Sequence, residues 1–320
     1  MWTLSWLGLQ REGGNSGVPV RSEGVHVRVY EDGGEPRDVY FIAAHHKPYQ
    51  LDWLLAAIHN DRDIFLVHVD RKAPREVREA IEAVAKKRPG IVLMPSREVH
   101  WGDWSQVASE LAAIRAALDM GAWRYFVFLS GQDYPIKPVS ELRSALSDSW
   151  PRSWVRVWTH ARVAAAEPSD PHLSQRLRLR LWGRVAELPI RVRPPRGLET
   201  RFKGSNWHIL NRELCEWAVE SGTARRLARR IRLTFCPDES YFQAVIMNSP
   251  FRDERMPDCG RFVIWPGPKT LVADDLEAMV GSSDLFARKF DAAVDVDVLR
   301  ELARRHQYQE STMPATGGEL

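Results

Sequence analysis

The chain has 320 residues and few of the features that announce a function on sight. It holds only three cysteines, Cys215, Cys236 and Cys259, far apart and odd in number. There is no CxxC pair and no Cys/His metal spacing, which argues against a disulfide framework and against a zinc site. The expectation is buried thiols in a reducing compartment. No apolar run reaches the roughly 20 residues that a membrane-spanning helix needs. The first residues, MWTLSWLGLQ, are apolar over too short a stretch, and they lack the basic region and small-residue cleavage site of a signal peptide. Neither GxGxxG nor GxxxxGK[ST] occurs, so neither a dinucleotide fingerprint nor a P-loop is supported. Charge of one sign is scarce too. The formal net charge is +3, too small to make the whole protein a polyanion binder. Together these absences point to a soluble, cytoplasmic protein whose apolar tip is the one candidate for peripheral membrane contact.

What is present is an ordinary globular composition, 44% hydrophobic and 27% charged. Thirteen tryptophans are many. Each carries an N–H that needs a partner when buried, so most belong to the core and a few are free to serve as stacking platforms for sugars. After a Gly-rich lead-in over residues 1–37, a regular alternation begins. VYFIAA (39–44), IFLVHV (64–69), IVLM (91–94) and RYFVFLS (124–130) read as buried strands. Between them lie helical patterns in YQLDWLLAAIHN, PREVREAIEAVAKKR and DWSQVASELAAIRAALDMG, the last with Asp103 as its cap and Gly121 as its stop. Strand–helix alternation predicts an α/β fold, a mostly parallel sheet with helices on both faces. Ligands of such sheets bind beyond the carboxyl ends of the strands. That rule directs attention to HHKP after the first strand, DRK after the second and GQDYPIK after the fourth.

The second half is less regular. NWHILN reads as a strand and RELCEWAVESG as a helix. PDESYFQAVIMN reads as a helix opened by Pro237, RFVIW (261–265) as a short strand, and DDLEAMVGS as helical. One domain is expected over 38–305 and a disordered tail over 306–320.

Four stretches carry candidate chemistry. In PDES, Asp238 and Glu239 are either helix-start residues favoured by the macrodipole or a general base held ionised at that start. Glu239 has the longer reach and is the better base, Asp238 the better cap. In SGQDYPIK, Asp133 is either a turn aspartate bonding its own backbone or a ligand for sugar hydroxyls. Asp70 ends a buried strand, where it caps the next loop or binds a ribose. In DLFARKFD, Phe286 and Phe290 imply a packed segment that presents Arg288 and Lys289 to an anion such as a diphosphate. An Asp-x-Asp in VDVDV (294–298) has the form of a metal site but lies near the C-terminus rather than behind a central strand.

In order along residues 39–292, YFIAAHHKPYQL, FLVHVDRK, VHWGDWSQV, FLSGQDYPIK, KGSNWHILNRE, PDESYFQAVIMNS and LFARKFD resemble the core-2/I-branching β-1,6-N-acetylglucosaminyltransferases and the related peptide O-xylosyltransferases. The chain looks like a bacterial-type member. The resemblance implies a GT-A-type fold, a UDP-sugar donor, inversion at the anomeric carbon, and no metal or other cofactor. It implies Glu239 as the catalytic base. Lys289, Arg288 and Arg261 would hold the diphosphate, and His45, Asp70 and Asp133 the nucleotide and sugar. Trp207 and Ser205 would line the acceptor side. GSNWHILNR and FARKF are nearer the xylosyltransferase pattern; the acetylglucosaminyltransferases would carry an AY-type pair where Asn206-Trp207 stands. The chain shows no membrane anchor, stem or set of disulfides of the kind found in eukaryotic relatives. The implied acceptor is therefore a polysaccharide or glycolipid at the cytoplasmic face of a membrane, rather than a lumenal glycoprotein. The rival reading is a binder of an anionic polymer or nucleic acid through the arginine-rich segment 174–203, in which Trp182 neighbours the alternating Arg-Leu run. The modest net charge and the ordered motifs disfavour nucleic acid as a partner.

Overall fold

A computed structural model describes residues 36–181 and 184–308. The apolar tip and nearly all of the lead-in, Trp182, and the tail from residue 309 lie outside these. The strands expected in the first half form where the apolar runs stand: β1 (Val39–Ala44), β2 (Ile64–Val69), β3 (Ile91–Met94) and β4 (Tyr125–Ser130). β1 pairs in parallel with both β2 and β4, and β2 with β3. Three short segments extend the sheet beyond β4. Its full order is Arg255–Met256, Ser153–Trp154, Ile209–Asn211, β4, β1, β2, β3. Ile209–Asn211 runs antiparallel to β4, so the sheet is mixed but mostly parallel.

Alternation along each strand divides the core in two. Tyr40, Ile42, Phe65, Val67, Tyr125, Val127 and Leu129 join one apolar cluster with α1 (Pro48–Ile58) and α2 (Arg75–Lys86). Val39, Phe41, Ile64, Leu66, Phe126 and Phe128 join the other, with α3 (Trp104–Leu118) and the helix Arg212–Glu220. Both faces are covered, as the near-continuous apolar strands require. Asp103 caps α3 by accepting from the Ser105 backbone N–H at 2.8 Å. Tyr308, within the expected tail, is buried and its hydroxyl donates to the Lys137 carbonyl.

Two expectations need adjusting, and one segment left without an assignment takes form. The strand read over 261–265 covers only Arg261–Phe262, and it belongs to a separate small sheet with Phe286–Ala287 and Tyr134–Pro135. PDESYFQAVIMN is not one helix. Pro237–Glu239 is a 3-10 turn, Ser240 at φ −130 breaks the run, and the α-helix is Tyr241–Met247. The arginine-rich segment contains a hairpin, Arg176–Leu181 against Arg184–Arg191. All three cysteines are free and buried, as expected.

Candidate active site

Three strand ends bring three of the expected donor residues to one edge of the sheet. His45 follows β1, Asp70 follows β2 and Asp133 lies in the turn after β4. Backbone bonds from Asp70 to Ala44 (2.9 Å) and from Gly131 to Ala43 (3.0 Å) bind the three loops together. The Asp70 Oδ1 atom accepts from Lys72 N at 2.9 Å, so the carboxylate orders its own loop. His45 stacks on His46 at 4.1 Å between ring centres. Burial lowers the pKa of both imidazoles, that of His46 to about 4, so both are neutral at physiological pH.

Asp133 serves its turn first. Its Oδ2 accepts from the Ser130 backbone N–H at 2.5 Å and from the Ser130 hydroxyl at 2.6 Å. Its Oδ1 lies 3.5 Å from Nε of Arg261, and both side chains are fully enclosed. The turn reading of Asp133 therefore holds, and its carboxylate presents no surface to a ligand in this conformation.

The cations gather around Trp207. The Arg288 guanidinium lies 3.9 Å from the indole centre and that of Arg261 lies at 5.4 Å. The indole also stacks on Phe128, with ring centres 4.9 Å apart. Arg261 Nη2 donates to the Phe128 carbonyl at 2.9 Å, while its Nη1 has no hydrogen-bond partner among the described residues. Nε and Nη1 of Arg288 also lack partners. Burial lowers the Arg288 pKa, Asp133 opposes that shift and Arg261 adds to it. Two guanidiniums thus share one carboxylate in an apolar shell with donors unused. That arrangement favours an anion. Because Arg261 is enclosed, it acts on such an anion through its charge, and Arg288 is the one with exposed surface. Lys289 is half-buried beside His46, on whose pKa its charge acts. Trp207 therefore sits with the cations, although the acceptor side was its expected place. Ser205 shapes the same loop, accepting from Trp207 N at 3.1 Å through its hydroxyl and from Gln243 Nε2 at 2.7 Å through its carbonyl.

Lys203 and Trp207 belong to one short stretch, 203–207. Lys203 reaches the other half of the site, where its Nζ is 3.8 Å from Glu239 Oε2 and 2.5 Å from Asp170 Oδ2. His172 faces the same two acids, with Nε2 at 3.2 Å from Glu239 Oε2 and Nδ1 at 2.8 Å from Asp170 Oδ1. Asp170, His172 and Lys203 were not singled out from the sequence. The only signal was Asp-x-His in SDPH, in an irregular stretch with no strand end to mark it. Its meeting with Glu239 depends on segments far apart in the chain.

The helix-start reading of the two acids is corrected by the backbone. Neither side chain caps a helix, because the segment is a 3-10 turn followed by a break. Asp238 is buried with Oδ1 unpartnered, and burial together with the neighbouring Glu239 charge raises its pKa to about 7. Burial also raises the Glu239 pKa, against the pull of Lys203. The helix field does not keep these acids ionised; desolvation makes them more basic, which suits proton abstraction.

Two other sequence candidates find structural roles. In the Asp-x-Asp, Asp295 Oδ1 accepts from the backbone of Asp297 (2.9 Å) and Val298 (3.1 Å), capping the helix Asp297–His306. Among the described residues no cluster of three His, Cys, Asp or Glu side chains is placed to hold a metal. In the arginine-rich hairpin, Arg178 lies over the Phe235 ring at 4.6 Å and Arg180 pairs with Asp103 at 3.0 Å. Arg176 and Arg178 both face Glu187. These arginines fasten the hairpin to Asp103, Phe235 and its own Glu187.

The core-2/I-branching enzyme model matches residues 39–280, ending before Arg288 and Lys289. Among similar proteins is the beta-1,3-galactosyl-O-glycosyl-glycoprotein beta-1,6-N-acetylglucosaminyltransferase of Bos taurus, 26% identical over 324 residues, covering 89% of this chain and 73% of that protein. Xylosyltransferase 2 of Canis lupus familiaris is 27% identical over 305 residues, covering 87% of this chain and 34% of that protein, so the chain spans about a third of its length. Solved structures with some likeness include mouse xyloside xylosyltransferase 1 (TM-score 0.37, 13% identity, covering 78% of this chain and 97% of the other) and the galactosyltransferase LgtC in complex with donor and acceptor sugar analogues (TM-score 0.39, 10% identity, covering 87% and 97%). Overlaps this loose assign no function. The family match, over most of the described chain, does: the protein belongs to the core-2/I-branching enzyme family and is a glycosyltransferase.

Proposed function

We propose that the protein is a metal-independent, inverting, GT-A-type transferase that moves xylose or N-acetylglucosamine from a UDP-sugar to an acceptor hydroxyl. The acceptor belongs to a glycan, polysaccharide or glycolipid assembled at the cytoplasmic face of a membrane. The observation that carries this reading is the polarity of the stretch 203–207. At one end Lys203 meets Glu239, a carboxylate made more basic by burial. At the other Trp207 meets two crowded guanidiniums with unused donors. Single displacement with inversion needs both ends at once. A base takes the acceptor proton as its oxygen attacks C1, and cations stabilise charge growing on the diphosphate on the opposite side. Glu239 is the base. Arg288 and Lys289 contact the diphosphate, and Arg261 supports them from behind. In this reading these cations do the work that a divalent ion does in other transferases. Asp70 and His45 receive the uridine end, while Asp133 contributes through Arg261. The two kinds of relative match this chain equally well, at 26% and 27% identity, so the sugar is the open choice.

The test is a panel of nucleotide sugars assayed with EDTA present, UDP-xylose and UDP-N-acetylglucosamine first, with the anomeric configuration of the product read by NMR. Turnover in EDTA with inversion is expected. A strict requirement for a divalent ion, a retained configuration, or no turnover with any donor would overturn the reading.

A further inference from the structure

We propose that Asp170, His172 and Lys203 form a positioning relay of hydrogen bonds behind Glu239, in which the Nε2 lone pair of His172 accepts a hydrogen bond from Glu239 once that carboxylate has taken the proton of the sugar acceptor. The proposal rests on Glu239 being the base.

Asp170 fixes the histidine. Its Oδ1 accepts the His172 backbone N–H at 2.9 Å and faces ring Nδ1 at 2.8 Å. Its Oδ2 lies 2.5 Å from the Lys203 ammonium. Burial pushes the Asp170 pKa up, but Lys203 and the His172 donors outweigh it and leave the carboxyl below its usual range. An ionised carboxylate only accepts hydrogen bonds, so Nδ1 carries the ring proton. Burial, and then the Lys203 charge, push the His172 pKa down to about 4, so the ring is neutral near pH 7. Nε2 is therefore a lone pair. It is buried, lacks a hydrogen bond, and lies 3.2 Å from Glu239 Oε2.

A lone pair facing an ionised carboxylate gains nothing. The same lone pair facing a protonated carboxyl can accept an O–H···N bond across that 3.2 Å contact. The contact thus favours the protonated form of Glu239, the form that proton abstraction creates. In the full step, the acceptor O–H bond breaks and the oxygen forms its bond to C1. The C1–O bond to the diphosphate breaks, and its electron pair leaves with UDP. The proton arrives on Glu239 Oε2 and stays there, hydrogen-bonded to the His172 Nε2 lone pair, while Asp170 holds the ring in the Nδ1–H tautomer. Glu239 is 31% exposed, which gives the proton a way out to solvent. The charged and titratable groups facing His172 are Asp170, Lys203, His160, Glu239 and Arg230, with Asp238 next to Glu239.

Two measurements test the relay. Imidazole 15N spectra of the full-length protein at pH 7 read the ring directly and need no sugar donor. A neutral Nδ1–H ring at His172 is expected, shifting to Nε2–H in Asp170→Asn, whose amide donates to Nδ1. In kinetics, Asp170→Asn and His172→Leu are expected to lower kcat by about tenfold or more with donor KM within about twofold. The acid limb of the pH–kcat profile should move to lower pH in both, because each removes the acceptor that favours protonated Glu239. A role confined to packing would lower thermal stability and leave the limb in place. An Nε2–H or cationic ring in the wild type, or loss of kcat with an unmoved limb, would overturn the relay. Absence of turnover by the wild type with every donor would instead sink the transferase reading, and the tautomer would still decide the geometry.

Discussion

His172 stands between two acids, 3.2 Å from Glu239 through Nε2 and 2.8 Å from Asp170 through Nδ1. One neutral ring cannot donate to both. The acid that holds the proton-bearing nitrogen is Asp170, 2.5 Å from Lys203 where Glu239 is 3.8 Å away, and this leaves the lone pair for Glu239.

Glu239→Gln keeps the size of the side chain and removes the base. Transfer should fall by about 10²–10⁴-fold, while UDP binding by calorimetry stays near that of the wild type. In the unmodified enzyme kcat should fall as the pH drops through the Glu239 pKa. Because burial raises that pKa, the limb should lie above the usual carboxylate range. Turnover retained in the variant would remove Glu239 from the role.

Asp238 should make the fold less stable as the pH rises. Its folded-state pKa is about 7 against an ordinary aspartate value of 3.8. Between those values the folded state binds more protons than the unfolded one, so stability declines with rising pH and levels off above about 7. Asp238→Asn should flatten this slope and gain roughly 1–3 kcal/mol above neutrality. Thermal melts of both proteins between pH 5 and 8 check this. Parallel curves would mean that Asp238 stays ionised.

Arg288→Ala should weaken UDP binding by about tenfold to a hundredfold, with a smaller effect on uridine. Arg288→Lys should not restore it fully, since an ammonium cannot reproduce the guanidinium fork that lies 3.9 Å from the Trp207 ring centre. Equal losses for UDP and uridine would move Arg288 away from the diphosphate.

Gly204→Ala should damage both fold and site. An added Cβ would stand 1.8 Å from the Arg156 carbonyl oxygen, which is backbone and cannot swing aside. Gly204 pairs with Val157 in the ladder that carries Lys203. A loss of about 1–3 kcal/mol or more is expected, with a lower melting temperature. A variant that melts like the wild type would show that the two strands separate at little cost.

Much of this protein is set locally and is therefore legible in its sequence. Four apolar runs became four paired strands, because period-2 alternation commits residues such as Tyr40 and Phe41 to opposite faces wherever the strand is buried. Asp103 caps α3 because an N-cap needs only its own next turn. The ordered motifs identified the family and marked Glu239. Tertiary structure decided what those motif residues contend with. Proline before two acids reads as a helix start, yet the chain makes a 3-10 turn there, burying Asp238 and half-burying Glu239. Their ionisation follows from desolvation, a property of neighbours distant in sequence. Asp133 and Arg261 are enclosed together, and Trp207 lies against Arg288, because strands far apart in the chain converge behind one loop. Asp170 and His172 are marked in the sequence only by an Asp-x-His in an irregular stretch, and Lys203 only by its place at the head of KGSNWHILNRE. Local sequence fixes dihedrals, caps and faces, whereas a proton's position depends on which distant charges folding sets within hydrogen-bond reach.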